Sequence, residues 1–133
     1  MTRSGIRLAA LAACFIFGPA NAHHSYAQFD QCKSVALEGE VTSVSWVNPH
    51  IVIDLKTTDV SYRVFWFSLT QLQQAGIEPE ALKTGDHVVV TGNEMRDPAL
   101  KVLSLVSEIR RPSDGWSWTR LTPRPVPPGC AAN

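Results

Sequence analysis

The sequence lacks a long apolar run beyond its first twenty residues, and it has no excess of charge of either sign. A permanent membrane anchor needs about 20 consecutive apolar residues, so we expect no membrane span. The formal net charge is +0, which offers no general attraction for a phosphate backbone. We therefore expect no nucleic-acid partner either.

The short motifs of common catalytic sites are also missing. The chain contains no P-loop, no dinucleotide-binding fingerprint, no H-E-x-x-H and no C-x-x-C. It has only three cysteines, and none of them has the spacing of a redox or zinc site. The sequence therefore favours a protein that is not an enzyme.

The first residues have the order of a cleavable export signal. Two arginines precede an apolar stretch from Leu8 to Phe17, and Ala20-Asn21-Ala22 has the small residues that signal peptidase requires. We predict a signal peptide over residues 1–22 that is cut after Ala22. The mature protein is then periplasmic or secreted.

Lipidation is the alternative fate of this segment. Residues 11–14 match the box at which bacterial lipoproteins are cut, which would anchor the protein at Cys14. The apolar stretch before Cys14 is short, however, and apolar residues continue directly after it. Both features favour soluble export.

Export leaves two cysteines, Cys32 and Cys130, one near each end of the mature chain. In an oxidising compartment an even pair favours a disulfide over two free thiols. The alternative is an untethered tail with a reactive thiol. The last 22 residues, 112–133, are rich in proline and are predicted to be an extended tail that contains Trp116 and Trp118.

Short β-branched and aromatic runs, separated by turn residues, dominate residues 35–109. Their order is three strands, a short helix and two strands, and Gly92 is expected to end the fourth strand. This is the order of the OB-fold, a five-stranded, partly open barrel. We predict a mainly β fold over residues 23–111, a small five-stranded OB-like β-barrel with one short helix between strands 3 and 4. An open antiparallel sheet or a small sandwich is the alternative.

Two motifs carry a resemblance to a known family. They are His23-His24-Ser25-Tyr26 directly after the signal peptide and Trp46-x-Asn48-Pro49-His50 further on. With these motifs the chain resembles an uncharacterised family of small exported bacterial proteins, classed as a domain of unknown function. The resemblance implies export and a compact β domain, and it implies no activity.

Histidines provide the sharpest functional hypothesis. Cleavage after Ala22 gives His23 both a free α-amine and an imidazole, and these two nitrogens can chelate one ion. A third nitrogen, from His50 or in reserve from His24, completes a T-shaped site suited to Cu(II). The alternative is a solvated N-terminus and a His50 that caps a turn, while His87 is expected to be merely exposed.

Aromatic side chains offer a second kind of site. Trp46 and Phe65 in the barrel, with Trp116 and Trp118 in the tail, are candidates for a surface that contacts a ligand or partner. The alternative is that the aromatic residues fill the barrel interior. We predict a small soluble periplasmic binding module for a small ligand, a metal ion or a periplasmic protein. The alternative class is a structural or interaction protein that docks a partner through the aromatic face or the Trp/Pro tail.

Overall fold

The computed structural model describes residues 26–130, which form six strands, one short α-helix and two 3-10 turns. The strands are β1 (Val35–Ser45), β2 (Val52–Lys56), β3 (Ser61–Phe65), β4 (His87–Glu94), β5 (Val102–Arg111) and β6 (Trp116–Thr119). Helix α1 (Leu69–Gln74) lies between β3 and β4. None of the helices in this range has the length and apolarity that crossing a membrane requires.

The first five strands close into a barrel. The strand order is β3-β2-β1-β4-β5-β6, with antiparallel neighbours, and a parallel pairing of β3 with β5 closes the sheet. The predicted five-stranded barrel with a helix between strands 3 and 4 is therefore confirmed. Strand β1 pairs with both β4 and β2, and its register shifts between Val41 and Ser43, where it bends.

Alternation of apolar residues places one face of each strand in the core. On and beside β2, Ile51, Ile53 and Leu55 have no exposed surface. Other fully buried side chains come from all parts of the barrel and from the segment that follows α1: Val41, Val64, Leu82, Val88, Val90, Leu103 and Ile109. Leu72 is the buried residue of α1, which a capping box of Ser68 and Gln71 begins.

Glycine allows two strands to approach closely at the β4–β5 pair. The expectation that Gly92 ends the fourth strand is wrong, because β4 continues to Glu94. A Cβ atom at residue 92 would lie 2.6 Å from the carbonyl oxygen of Ser104. Only glycine lets the backbone of β5 pass at this distance, and the register shifts here between Thr91 and Asn93.

The predicted extended tail begins with a strand. Residues 116–119 form β6, which pairs with β5 and places Trp118 in the core at 9% exposure. Arg111 fixes the turn between these strands, because its guanidinium bonds Asp86 at 2.7 Å and Asp114 at 2.9 Å. The same guanidinium covers the ring of Trp116 at 5.2 Å. Strand β6 was not predicted from the sequence, because the proline content of residues 112–133 indicated an extended tail.

A side-chain hydrogen bond lies beside the β3–β5 pairing that closes the barrel. The hydroxyl of Tyr62, on β3, donates to a carboxylate oxygen of Glu94 at 2.7 Å. This hydrogen bond, together with burial, raises the pKa of Tyr62 to about 12. The Tyr62–Glu94 hydrogen bond joins β3 to the end of β4, next to the short β3–β5 pairing.

Candidate functional site

A pocket opens where β3 and β5 stop pairing. Only two residues of each strand pair, Arg63 with Val102 and Val64 with Leu103. Beyond them the two strands separate, and the space between holds a cavity of about 480 Å³. This volume lies in the range of small-molecule sites, about 300–1,000 Å³.

The walls of the pocket are mainly apolar. The residues that follow β3 and those at the start of β5 form two sides, and the segment around residues 26–29 forms a third. The apolar lining consists of Phe29, Phe65, Trp66, Phe67, Met95, Val102, Leu105 and Val106. Leu105 has a positive φ of 54°, which interrupts the alternation of β5, and both Leu105 and its neighbour Val106 are buried. An apolar ligand therefore meets apolar surface on several sides.

One wall contains a buried hydrogen-bond donor, the indole nitrogen of Trp66. Trp66 is 3% exposed and packs edge-on against Trp118 at 5.2 Å and Trp46 at 6.1 Å between ring centroids. Its indole nitrogen has no hydrogen-bond acceptor among residues 26–130. An unsatisfied buried donor costs about 1–3 kcal/mol.

His50 stands on the pocket wall. Its ring lies edge-on to Phe65, with 6.5 Å between the ring centroids, and it is half-buried. Tyr26, the first residue that the structure describes, lines the same pocket. Tyr26 and His50 therefore line one pocket.

The C-terminal segment crosses the rim of the pocket. Arg120 and Arg124 line the pocket, and each guanidinium stacks on an aromatic ring: Arg120 over Phe67 at 5.0 Å and Arg124 over Tyr26 at 4.6 Å. The segment then ends at a disulfide between Cys130 and Cys32, as predicted from the sequence. This bond ties the rim to the segment that carries Tyr26.

The predicted site residues divide into three groups. His23 and His24 lie outside the described residues, and no cluster of three metal-ligating side chains occurs within residues 26–130. His50 and Phe65 line the pocket. Trp118, which we predicted for a partner surface, is 9% exposed and packs against the rings of Trp66 and Phe67.

The other two predicted aromatic residues are half-buried. Trp46 packs against the apolar core beside Trp66, and Trp116 packs there beneath Arg111. His87, which we expected to be merely exposed, is exposed and lies 3.0 Å from Glu38. Both aromatic residues therefore contribute to packing, and neither lines the pocket.

Sequence reasoning missed Arg120 and Arg124. A signal existed, since they are the two basic residues of the proline-rich segment and follow an aromatic run. Their position at a pocket depends on β6, which turns the chain back along β5. Without that strand the two arginines resemble ordinary solvated charges.

Comparison with known proteins gives one family. A protein-family model described as "Family of unknown function (DUF6152)" matches residues 11–103. A search of curated proteins found no match. The matched range contains β1 to β4, His50 and the first residues of β5, while Arg120, Arg124 and Cys130 lie beyond it.

Proposed function

The chain belongs to the family of unknown function DUF6152, and from the geometry of its own pocket we propose that it is an exported module that binds a small, largely apolar ligand. The observation that carries this proposal is the cavity of about 480 Å³ between β3 and β5. The rest of the barrel interior is filled by buried side chains. Its lining is mainly apolar, so an apolar ligand that displaces water from this surface is bound favourably.

The chemistry of the walls supports a ligand with an apolar body. Phe65, Phe67 and Met95 offer aromatic and polarizable surface, which accommodates ligands of several shapes. The ring of Trp66 adds further aromatic surface to the lining. The disulfide agrees with a role outside the cytoplasm.

Filling the pocket tests the proposal. Ser104 lines the pocket from β5, so Ser104→Phe places a ring in the cavity and is expected to abolish binding of an apolar probe such as decanol. The measurement is a titration followed by tryptophan fluorescence. Ser117→Phe makes the same change at an exposed position of β6 and is expected to bind normally. Equal binding by both variants would contradict the assignment of the pocket.

Copper binding at the mature N-terminus is the second candidate function. It is supported by the position of His50 on the same pocket as Tyr26, which is three residues after His23 in the sequence. Three extended residues span about 10 Å, so a copper site of His23 and His50 requires Tyr26 to lie within about that distance of His50. His24 is the alternative third ligand.

Titration with Cu(II) tests this second function in protein that is processed by export, so that His23 carries its own amine. We expect His50→Ala and His23→Ala each to weaken Cu(II) binding at least about tenfold. His87→Ala is the matched control, because His87 faces Glu38 and does not line the pocket. Unchanged affinity in His50→Ala would remove His50 from the site.

Docking of a protein partner through the aromatic face or the Trp/Pro tail has less support. Trp118 is buried, and Arg111 covers the ring of Trp116. Neither side chain offers the open apolar patch that a protein interface uses as its centre.

A further inference from the structure

The pocket is lined by two guanidinium groups whose charges act on each other. Arg120 and Arg124 both line it, and both side chains are half-buried. Within residues 26–130, no carboxylate oxygen lies within ion-pair distance of either one. The contrast with Arg111, which bonds two aspartates, shows that this chain can pair a half-buried arginine.

The positive charges of Arg120 and Arg124 have no carboxylate partner among the described residues. Burial lowers the pKa of Arg120, and the positive charge of Arg124 lowers it further, while the nearby Tyr26 opposes the shift. Two like charges held together beside an apolar cavity cost free energy in the empty protein. An anion placed between them removes that cost.

Aromatic contacts hold the guanidinium donors of Arg120 and Arg124 in place. Arg120 stacks on Phe67 and Arg124 on Tyr26, so each guanidinium plane is held by a ring. Arg124 also donates to the side-chain oxygen of Gln31 at 3.3 Å. The remaining N–H groups are held at the pocket before a ligand arrives, which lowers the entropic cost of binding.

Resting on the proposed function, we propose that the ligand is an amphipathic carboxylate. Its apolar body lies in the cavity against Phe65 and Met95, and its carboxylate bonds the guanidiniums of Arg120 and Arg124. Arginine's planar fork matches the two oxygens of a carboxylate. A carboxylate carries one negative charge, whereas a phosphate monoester carries about 1.5 to 2. The carboxylate therefore loses less hydration when its head group is half-buried beside the apolar wall.

The probes that test this assignment are decanoate, decanol and decyl phosphate, which share an apolar chain and differ in the head group. The protein is the mature, disulfide-bonded form. We expect decanoate to bind at least about tenfold more tightly than decanol, since a charge-assisted hydrogen bond adds to the same apolar contacts. We also expect decanoate to bind more tightly than decyl phosphate.

Variants assign the effect to the two arginines. Arg120→Gln and Arg124→Gln are each expected to weaken decanoate binding at least about tenfold and to weaken decanol binding much less. Retained decanol binding shows that the pocket is still folded. Arg110→Gln is the matched control, because Arg110 is exposed, pairs with Glu108 and does not line the pocket.

The outcomes separate the two proposals. If neither decanoate nor decanol binds, the proposed function fails and the carboxylate assignment fails with it. If both bind equally, or if the arginine variants keep their preference for decanoate, the pocket binds ligands but the assignment of the carboxylate is wrong. Tighter binding of decyl phosphate than of decanoate would also overturn that assignment.

Discussion

Replacement of both Cys32 and Cys130 by serine is expected to lower the free energy of unfolding by up to ~4.7 kcal/mol, the value for a loop of about 100 residues. The two cysteines are separated by 98 positions, so their bond constrains most of the chain in the unfolded state. Urea denaturation of the double variant and of the wild type measures the difference. The wild type treated with a reductant is expected to match the double variant.

Loss of the disulfide is also expected to change ligand binding in the pocket. The disulfide holds the end of the C-terminal segment against the segment of Tyr26, and Arg120 and Arg124 lie between β6 and that bond. Under conditions where the double variant remains folded, we expect it to lose affinity for decanoate more than for decanol. Wild-type stability in the double variant would contradict a structural role of the disulfide.

Replacement of Gly92 by valine is the second change with a large expected effect. Its Cβ would lie 2.6 Å from the backbone oxygen of Ser104 and 3.2 Å from the side chain of Leu103. A backbone atom cannot rotate away, so β4 and β5 must separate. We expect a loss of about 3 kcal/mol, the upper range for overpacking, in the free energy of unfolding.

A glycine in open space provides the comparison. Gly115 has a φ of 75°, and no atom lies within 4 Å of the position that a Cβ atom would take there. Gly115→Ala therefore adds only the strain of a left-handed residue, about 1–2 kcal/mol. Gly92→Ala, with a single added carbon, should lie between wild type and Gly92→Val. Stability of Gly92→Val within about 0.5 kcal/mol of wild type would show that β5 does not depend on this close approach.

The barrel could be predicted because its signals are local. The alternation of Ile51, Ile53 and Leu55 with polar neighbours indicated a strand with one buried face, and all three are buried. Turn residues between such runs gave the strand order. The pairing of Cys32 with Cys130 followed from the even count that remains once the predicted signal peptide is removed.

The pocket could not be predicted, because it depends on contacts between residues far apart in the sequence. It exists because β3 and β5 separate after Val64 and Leu103, which no local pattern encodes. Gly92 was interpreted as a strand end, although its role is to admit a neighbouring backbone. The aromatic residues were likewise ambiguous, since burial of Trp118 requires the unpredicted strand β6.

The indole N–H signals of the isotope-labelled mature protein, followed during titration with decanoate, test the binding site most directly. The chain has four tryptophans, and Trp66 lines the pocket with an indole donor that has no acceptor in the described part of the chain. We predict a saturable shift of the Trp66 signal, while the signal of Trp116, which stacks beneath Arg111, stays in place. A saturating titration that leaves Trp66 unchanged would contradict the claim that the pocket between β3 and β5 is the binding site.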